Sequence, residues 1–302
     1  MKKFLALILA ALMCVTLFAA CTATSTASDA NVDSDKASDP NLADATTPDD
    51  STNNADNNEE NNVPSANSDL QYVKDKGTLV VGITDFAPMD YQDADGNWIG
   101  FDADMAKAFA EYLGVDVEFQ IIDWDNKAME LESKTIDVVW NGMTLTEEVK
   151  AAMDCSNAYC NNQQVVILPA TVVENYPDKD SMMDLMFAVE AGSAGEEQAA
   201  AAGFNTVPVT DQATTLMEVS AGTADAAIID SLMAGAMVGE GTSYADLTYT
   251  IGLNDEEYGV GFRKGSDMVA EINKFFTEAY DDGVMMEIAE QYGVEAAIIT
   301  QY

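Results

Sequence analysis

Apolar and β-branched runs alternate with stretches of helical period along most of the chain, and that alternation sets the expected fold. Thr78 to Ile83, Val117 to Ile122 and Ile136 to Trp140 read as strands. Between the first two, Phe101, Met105, Ala108, Phe109 and Leu113 fall on one helical face, and Gly114 supplies a stop. The cycle restarts with strand residues Phe187 to Val189, a helix from Ala194 to Ala202 ended by Gly203, and a strand from Thr206 to Val209. A helix from Ala213 to Ser220 and a strand from Ala226 to Ile229 follow. This order predicts an α/β fold with mainly parallel sheets flanked by helices. Gln164 to Leu168 and Tyr258 to Phe262 are extended, rich in Val, Ile or Gly, and lie where one group of elements gives way to another. They are candidate crossover strands, and a final helical stretch from Met268 to Tyr292 would return to the first group. The expected organisation is a two-lobed clamp, with residues 69–164 plus 257–302 as lobe one and residues 165–256 as lobe two.

The first residues have a different character. Lys2 and Lys3 precede the uncharged run Phe4 to Ala20, which is the shape of a secretory signal. A plain signal peptide, an uncleaved anchor helix and a lipoprotein signal all fit such a run. Leu17-Phe18-Ala19-Ala20-Cys21 resembles a bacterial lipobox, in which the cysteine is lipidated, although Phe18 stands where Leu is expected. From Thr22 to Ser68 the chain is mostly Asp, Asn, Ser, Thr and Ala, which cannot bury a core. Residues 22–68 are therefore expected to be a disordered acidic tether.

Charge narrows the function. With 53 Asp plus Glu against 13 Lys plus Arg, a formal net charge of −40 repels phosphate backbones, so nucleic acid is not an expected partner. The sequence contains no His, which argues against triad hydrolysis and ordinary zinc catalysis. No metal, cofactor or catalytic residue is expected. Cys155 and Cys160 read as two thiols in preference to a disulfide, whose Cα atoms must approach within about 7 Å.

Six segments in order then carry a family resemblance. They are Gly77 to Gly82, Phe86-Ala87-Pro88-Met89-Asp90-Tyr91, Gly100 to Ala106, Ile136 to Thr146, Ala191-Gly192-Ser193-Ala194-Gly195, and Ala224 to Asp230. From about Gly77 to Tyr292 the chain resembles the extracytoplasmic solute-binding proteins of amino-acid ABC transporters, bacterial family 3. The resemblance implies a periplasmic-binding-protein-like clamp that closes over an amino acid or related small amine and delivers it to an ABC permease. It also implies a monomer held to the cell membrane through Cys21, with no covalent chemistry. A sensor module, or a binder of a non-amino-acid solute, is the alternative.

The same resemblance places ligand contacts. Phe86 would stack on the ligand, with Asp85 beside it facing an ammonium or capping a turn, and Trp124 would form a cleft wall. Asn141, Gly142 and Thr144 follow a strand, where α/β sheets bind ligands, with Thr144 facing a carboxylate or capping the next helix. Asp230 would pair the ligand ammonium or cap the helix starting at Ser231. One position departs from the pattern. The family's carboxylate-binding Arg is Val149 in Thr144-Leu145-Thr146-Glu147-Glu148-Val149. Losing a forked, charge-assisted contact should weaken carboxylate binding by about 1.5–3 kcal/mol. Ser193 and the amides opening the Ala194 helix are the expected substitute.

Overall fold

The computed structural model describes residues 68–302; the expected signal, the lipidation at Cys21 and the tether lie outside those residues. Apolar strands drive two separate sheets. In the first, Asp116–Ile121, Thr78–Ile83, Val138–Thr144, Glu256–Phe262 and Asp154–Cys155 lie side by side in that order, with Cys160–Asn162 also on Glu256–Phe262. Thr78 to Ile83 runs parallel to Asp116 to Ile121 in unbroken register. In the second, the order is Asn205–Val209, Met186–Glu190, Ala226–Asp230, Gln164–Pro169 and Leu247–Gly252. The first three are parallel and the last two antiparallel. The chain leaves the first sheet at Asn162 and enters the second at Gln164; it leaves the second at Gly252 and re-enters the first at Glu256.

Apolar packing covers both sheets, and one cluster joins Val81 and Trp140 of the first to Ile167 and Ile229 of the second. In the first, helix Phe101–Leu113 lays Phe109 against Phe275 of helix Met268–Asp281, with ring centroids 5.2 Å apart, and Trp140 meets Phe276 edge-on at 5.6 Å. In the second, Phe187 stacks on Phe204 at 4.4 Å, beside Val166, Leu168 and Ile228.

Several elements differ from the sequence reading, among them the edge strand Leu247–Gly252 of the second sheet, which the sequence reading lacks. The strand expected to end at Trp140 runs on to Thr144, because Tyr258 and Gly259 pair with Thr144 and Met143. The single final helix is two, Met268–Asp281 and Val284–Tyr292, separated at Gly283, whose φ of 83° ends the helical path. An amino-terminal helix, Asp69–Lys76, is added, its first turn capped by the Ser68 hydroxyl accepting from Gln71 N–H. Among the described residues no helix is long and apolar enough to cross a membrane. Cys155 and Cys160 are free thiols, and burial pushes Cys160 well up.

Candidate functional site

Strands Val138–Thr144, Met186–Glu190 and Ala226–Asp230 all carry polar residues at or near their carboxyl ends, and these meet around one cavity of about 350 Å³. Both sheets line it. From the first come Trp124, Lys127, Asn141 to Thr144 and Val149; from the second come Gln164, Glu190, Ser193, Ala194, Gln212 and Asp230.

The first-sheet floor is fixed from behind. The Asn141 amide oxygen accepts from Thr84 N–H at 3.0 Å and from the Thr84 hydroxyl at 2.7 Å, and its NH₂ donates to Asp90 at 2.8 Å. Gly142 donates its N–H to the Asp102 carboxylate at 2.6 Å, and the Tyr159 hydroxyl donates to that carboxylate at 2.7 Å. Burial raises Asp102 to about 7, against the lowering pull of these donors. Gly142 has φ 53°, and a Cβ there would fall 2.3 Å from a Phe86 ring carbon. No side chain fits.

Trp124 is buried in the cavity wall, with the Lys127 ammonium 5.0 Å above its ring. Lys127 Nζ donates to Trp124 O at 3.1 Å and, across the cleft, to Gly192 O at 2.9 Å. Burial lowers its pKa, opposed by Glu190, Asp125 and Glu148. Gly192 is held tight against the other side, since a Cβ there would lie 2.8 Å from Asp125 Cα.

Asp230 is buried at the end of its strand. Its carboxylate accepts from Asn162, Gln164 (2.9 Å), Gln212 and the Tyr258 hydroxyl (2.7 Å). Burial first, then Glu256, push its pKa well up. It stands at the cap position of helix Ser231–Met237 without a side-chain capping bond, so the capping alternative does not hold. Glu190 ends the neighbouring strand, 3% exposed, with Oε1 unpartnered, and burial followed by Asp230 raises it well above a normal carboxylate.

Seven of the nine sequence-named contacts line this cavity: Trp124, Asn141, Gly142, Thr144, Ser193, Ala194 and Asp230. Phe86 and Asp85 do not. Phe86 is 2% exposed and packs edge-on against Tyr258 at 6.4 Å, so it is a core ring supporting Gly142. Asp85 is exposed, and partial burial followed by Asp211 raises it. Thr144 donates its hydroxyl to Glu256 at 3.0 Å, while the cap of helix Glu147–Ala152 is Thr146, which corrects the capping alternative for Thr144.

The helix start at Ala194 is also engaged: the Ser193 hydroxyl accepts from Glu196 N–H at 3.2 Å, and Glu196 accepts from Gly192 N–H at 2.8 Å. The Glu196 carboxylate thus reaches back to the loop amide ahead of the helix and sets a negative charge beside its amino end. Val149 lines the cavity, where Lys127 is the one Lys or Arg of the lining, while Lys150 pairs with Glu147 at 3.4 Å in solvent. Arg263 is remote from it, bonded to Asp69 at 2.9 Å.

Lys127, Glu190, Gln164 and Gln212 were not named from the sequence. Glu190 carries the same signature as Asp230, an acid closing an apolar strand, in Phe187-Ala188-Val189-Glu190. Gln164 opens a strand that is otherwise apolar.

The chain is similar to known proteins over most of its length. The L-cystine-binding protein TcyJ of Escherichia coli is 28% identical over 227 residues, covering 74% of this chain and 85% of that protein. The arginine-binding extracellular protein ArtP of Bacillus subtilis is 29% identical over 235 residues, covering 76% and 90%. A crystal structure of an ABC uptake transporter substrate binding protein from Streptococcus pneumoniae with bound histidine matches with a TM-score of 0.69 at 28% identity, covering 77% of this chain and 99% of that one. Residues 79–295 match the profile of one family, and the chain belongs to it: the bacterial extracellular solute-binding proteins, family 3.

Proposed function

We propose that this solute-binding protein captures an amino acid or related small amine between its two sheets and hands it to the permease of an ABC importer. The observation that carries the reading is one cavity lined from both sheets, with the buried Asp230 carboxylate at its wall. A ligand touching both sides favours the closed arrangement by its difference in affinity for the closed and open forms. The lobes are residues 69–164 plus 257–302 and residues 165–256, and the passages near Gln163 and Leu253 to Asp255 are the hinge. Lipidated Cys21 holds the protein outside the cell membrane, with residues 22–68 as spacer. Its role is capture, with no covalent step.

Calorimetry tests this on the full chain, unfolded and refolded to strip carried-over solute, against amino acids, their decarboxylated amines and their amides. Saturable 1:1 binding of at least one member is expected. Silence across the panel from a cooperatively melting protein would end the reading.

A further inference from the structure

The second-sheet wall of the cavity presents acceptors that no donor meets. Glu190 Oε1 is unpartnered, and so is Oε1 of Gln164, a side chain only 1% exposed on the same wall. Buried acceptors are normally satisfied, so open ones on residues that line a cavity mark where a ligand's donors belong. The charged groups facing Glu190 are Asp230, Asp211 and Lys127. Only Lys127 is cationic, and its hydrogen bonds go to Trp124 O and Gly192 O. The four donors on Asp230 are three amides and a phenol, all neutral. Two buried carboxylates thus share one wall with no cation hydrogen-bonded to either.

Positions suited to a ligand carboxylate are altered in the same cavity. Val149 has no charge to offer, and Glu196, bonded to Gly192 N–H, sets a negative charge beside the start of the Ala194 helix. Asp125, Glu148 and Glu197 add further acids to the lining. The charge balance favours a cation with several N–H donors.

Resting on the capture reading above, we propose that the cavity takes a solute with two cationic nitrogen groups, one held by Asp230 beside Gln164 Oε1 and the second by Glu190. A basic amino acid and a diamine share this chemistry, and paired ligands separate them. L-Ornithine is compared with L-norvaline, which lacks the side-chain amine, and 1,4-diaminobutane with 1-aminobutane.

The stripped full chain should prefer the doubly cationic member of at least one pair by about 10-fold or more. The ornithine arm identifies a basic amino acid and the diaminobutane arm a diamine. In Glu190→Gln the preference should fall below about 3-fold, whereas Glu118→Gln, on the exposed edge strand, should retain it. Ratios near one in both pairs would overturn the proposal on the wild-type protein alone, whatever the variant's folding. An unchanged preference in a folded Glu190→Gln protein would overturn it equally. Binding of neutral amino acids without preference defeats this inference and spares the capture reading; no binding of any member defeats both.

Discussion

Asp102 and Glu190 are both buried carboxyl groups near the same cavity, and they are treated in opposite ways. Asp102 takes donors from Gly142 and Tyr159 and fixes the floor of the site. Glu190 ends a strand that reaches the cavity, lines it, and has one oxygen unpartnered. Asp102 is supplied with protein donors and holds the floor in place, whereas Glu190 keeps an acceptor open for a donor from outside. The contrast separates scaffold from recognition around one cavity.

The largest effect should come from the group on the recognition side that already has a full set of donors. Asp230→Ala removes the buried acceptor, strands Gln164 and Gln212, and should weaken binding of any amine by about 100-fold or more, read by calorimetry. Val149→Arg should act on the opposite end of the ligand. It should shift selectivity toward amino acids over their decarboxylated amines by about 10-fold, unless the guanidinium is captured by Glu190 or Asp230.

On the scaffold side, Gly142→Ala drives a Cβ into Phe86 at a positive φ and should cost about 2 kcal/mol or more in a denaturant melt. Lys127→Met removes the bond to Gly192 across the cleft and should weaken binding by about 5-fold.

The scaffold also makes a pH prediction. Asp102 keeps its proton in the fold to about pH 7 but loses it near 3.8 when unfolded. Its stabilising contribution is therefore complete below about pH 3.8 and is lost as pH rises through 7. Asp90, Glu190 and Asp230 are raised by burial in the same direction. The ligand-free protein should melt at a lower temperature at pH 8 than at pH 5, and Asp102→Asn should flatten that slope. A slope of opposite sign would remove Asp102 from this role.

Much of this was legible in the sequence because it depends on local patterning. Strands such as Thr78 to Ile83 and helices ended by Gly114 and Gly203 are announced by period and stop residues. Asp230 and the Asn141–Thr144 stretch follow from strand ends. Phe86 was misplaced because an aromatic after a strand reads alike whether it faces ligand or core, and only the Gly142 and Tyr258 contacts decide it. The negative charge beside the Ser193 helix start was not legible because the reach of Glu196 back to Gly192 is a side-chain geometry. Lys127 was overlooked because its site joins residues 65 positions apart.

Proton counting gives the most direct test. Glu190 and Asp230 are both held toward the protonated form by burial, and a cationic ligand reverses that preference. Titrating the preferred doubly cationic ligand near neutral pH, in buffers of different ionisation enthalpy, should show net proton release on binding. Release should decrease in Glu190→Gln. Binding without proton exchange, or with equal release in the variant, would contradict a cavity whose open carboxyl group is completed by a cation.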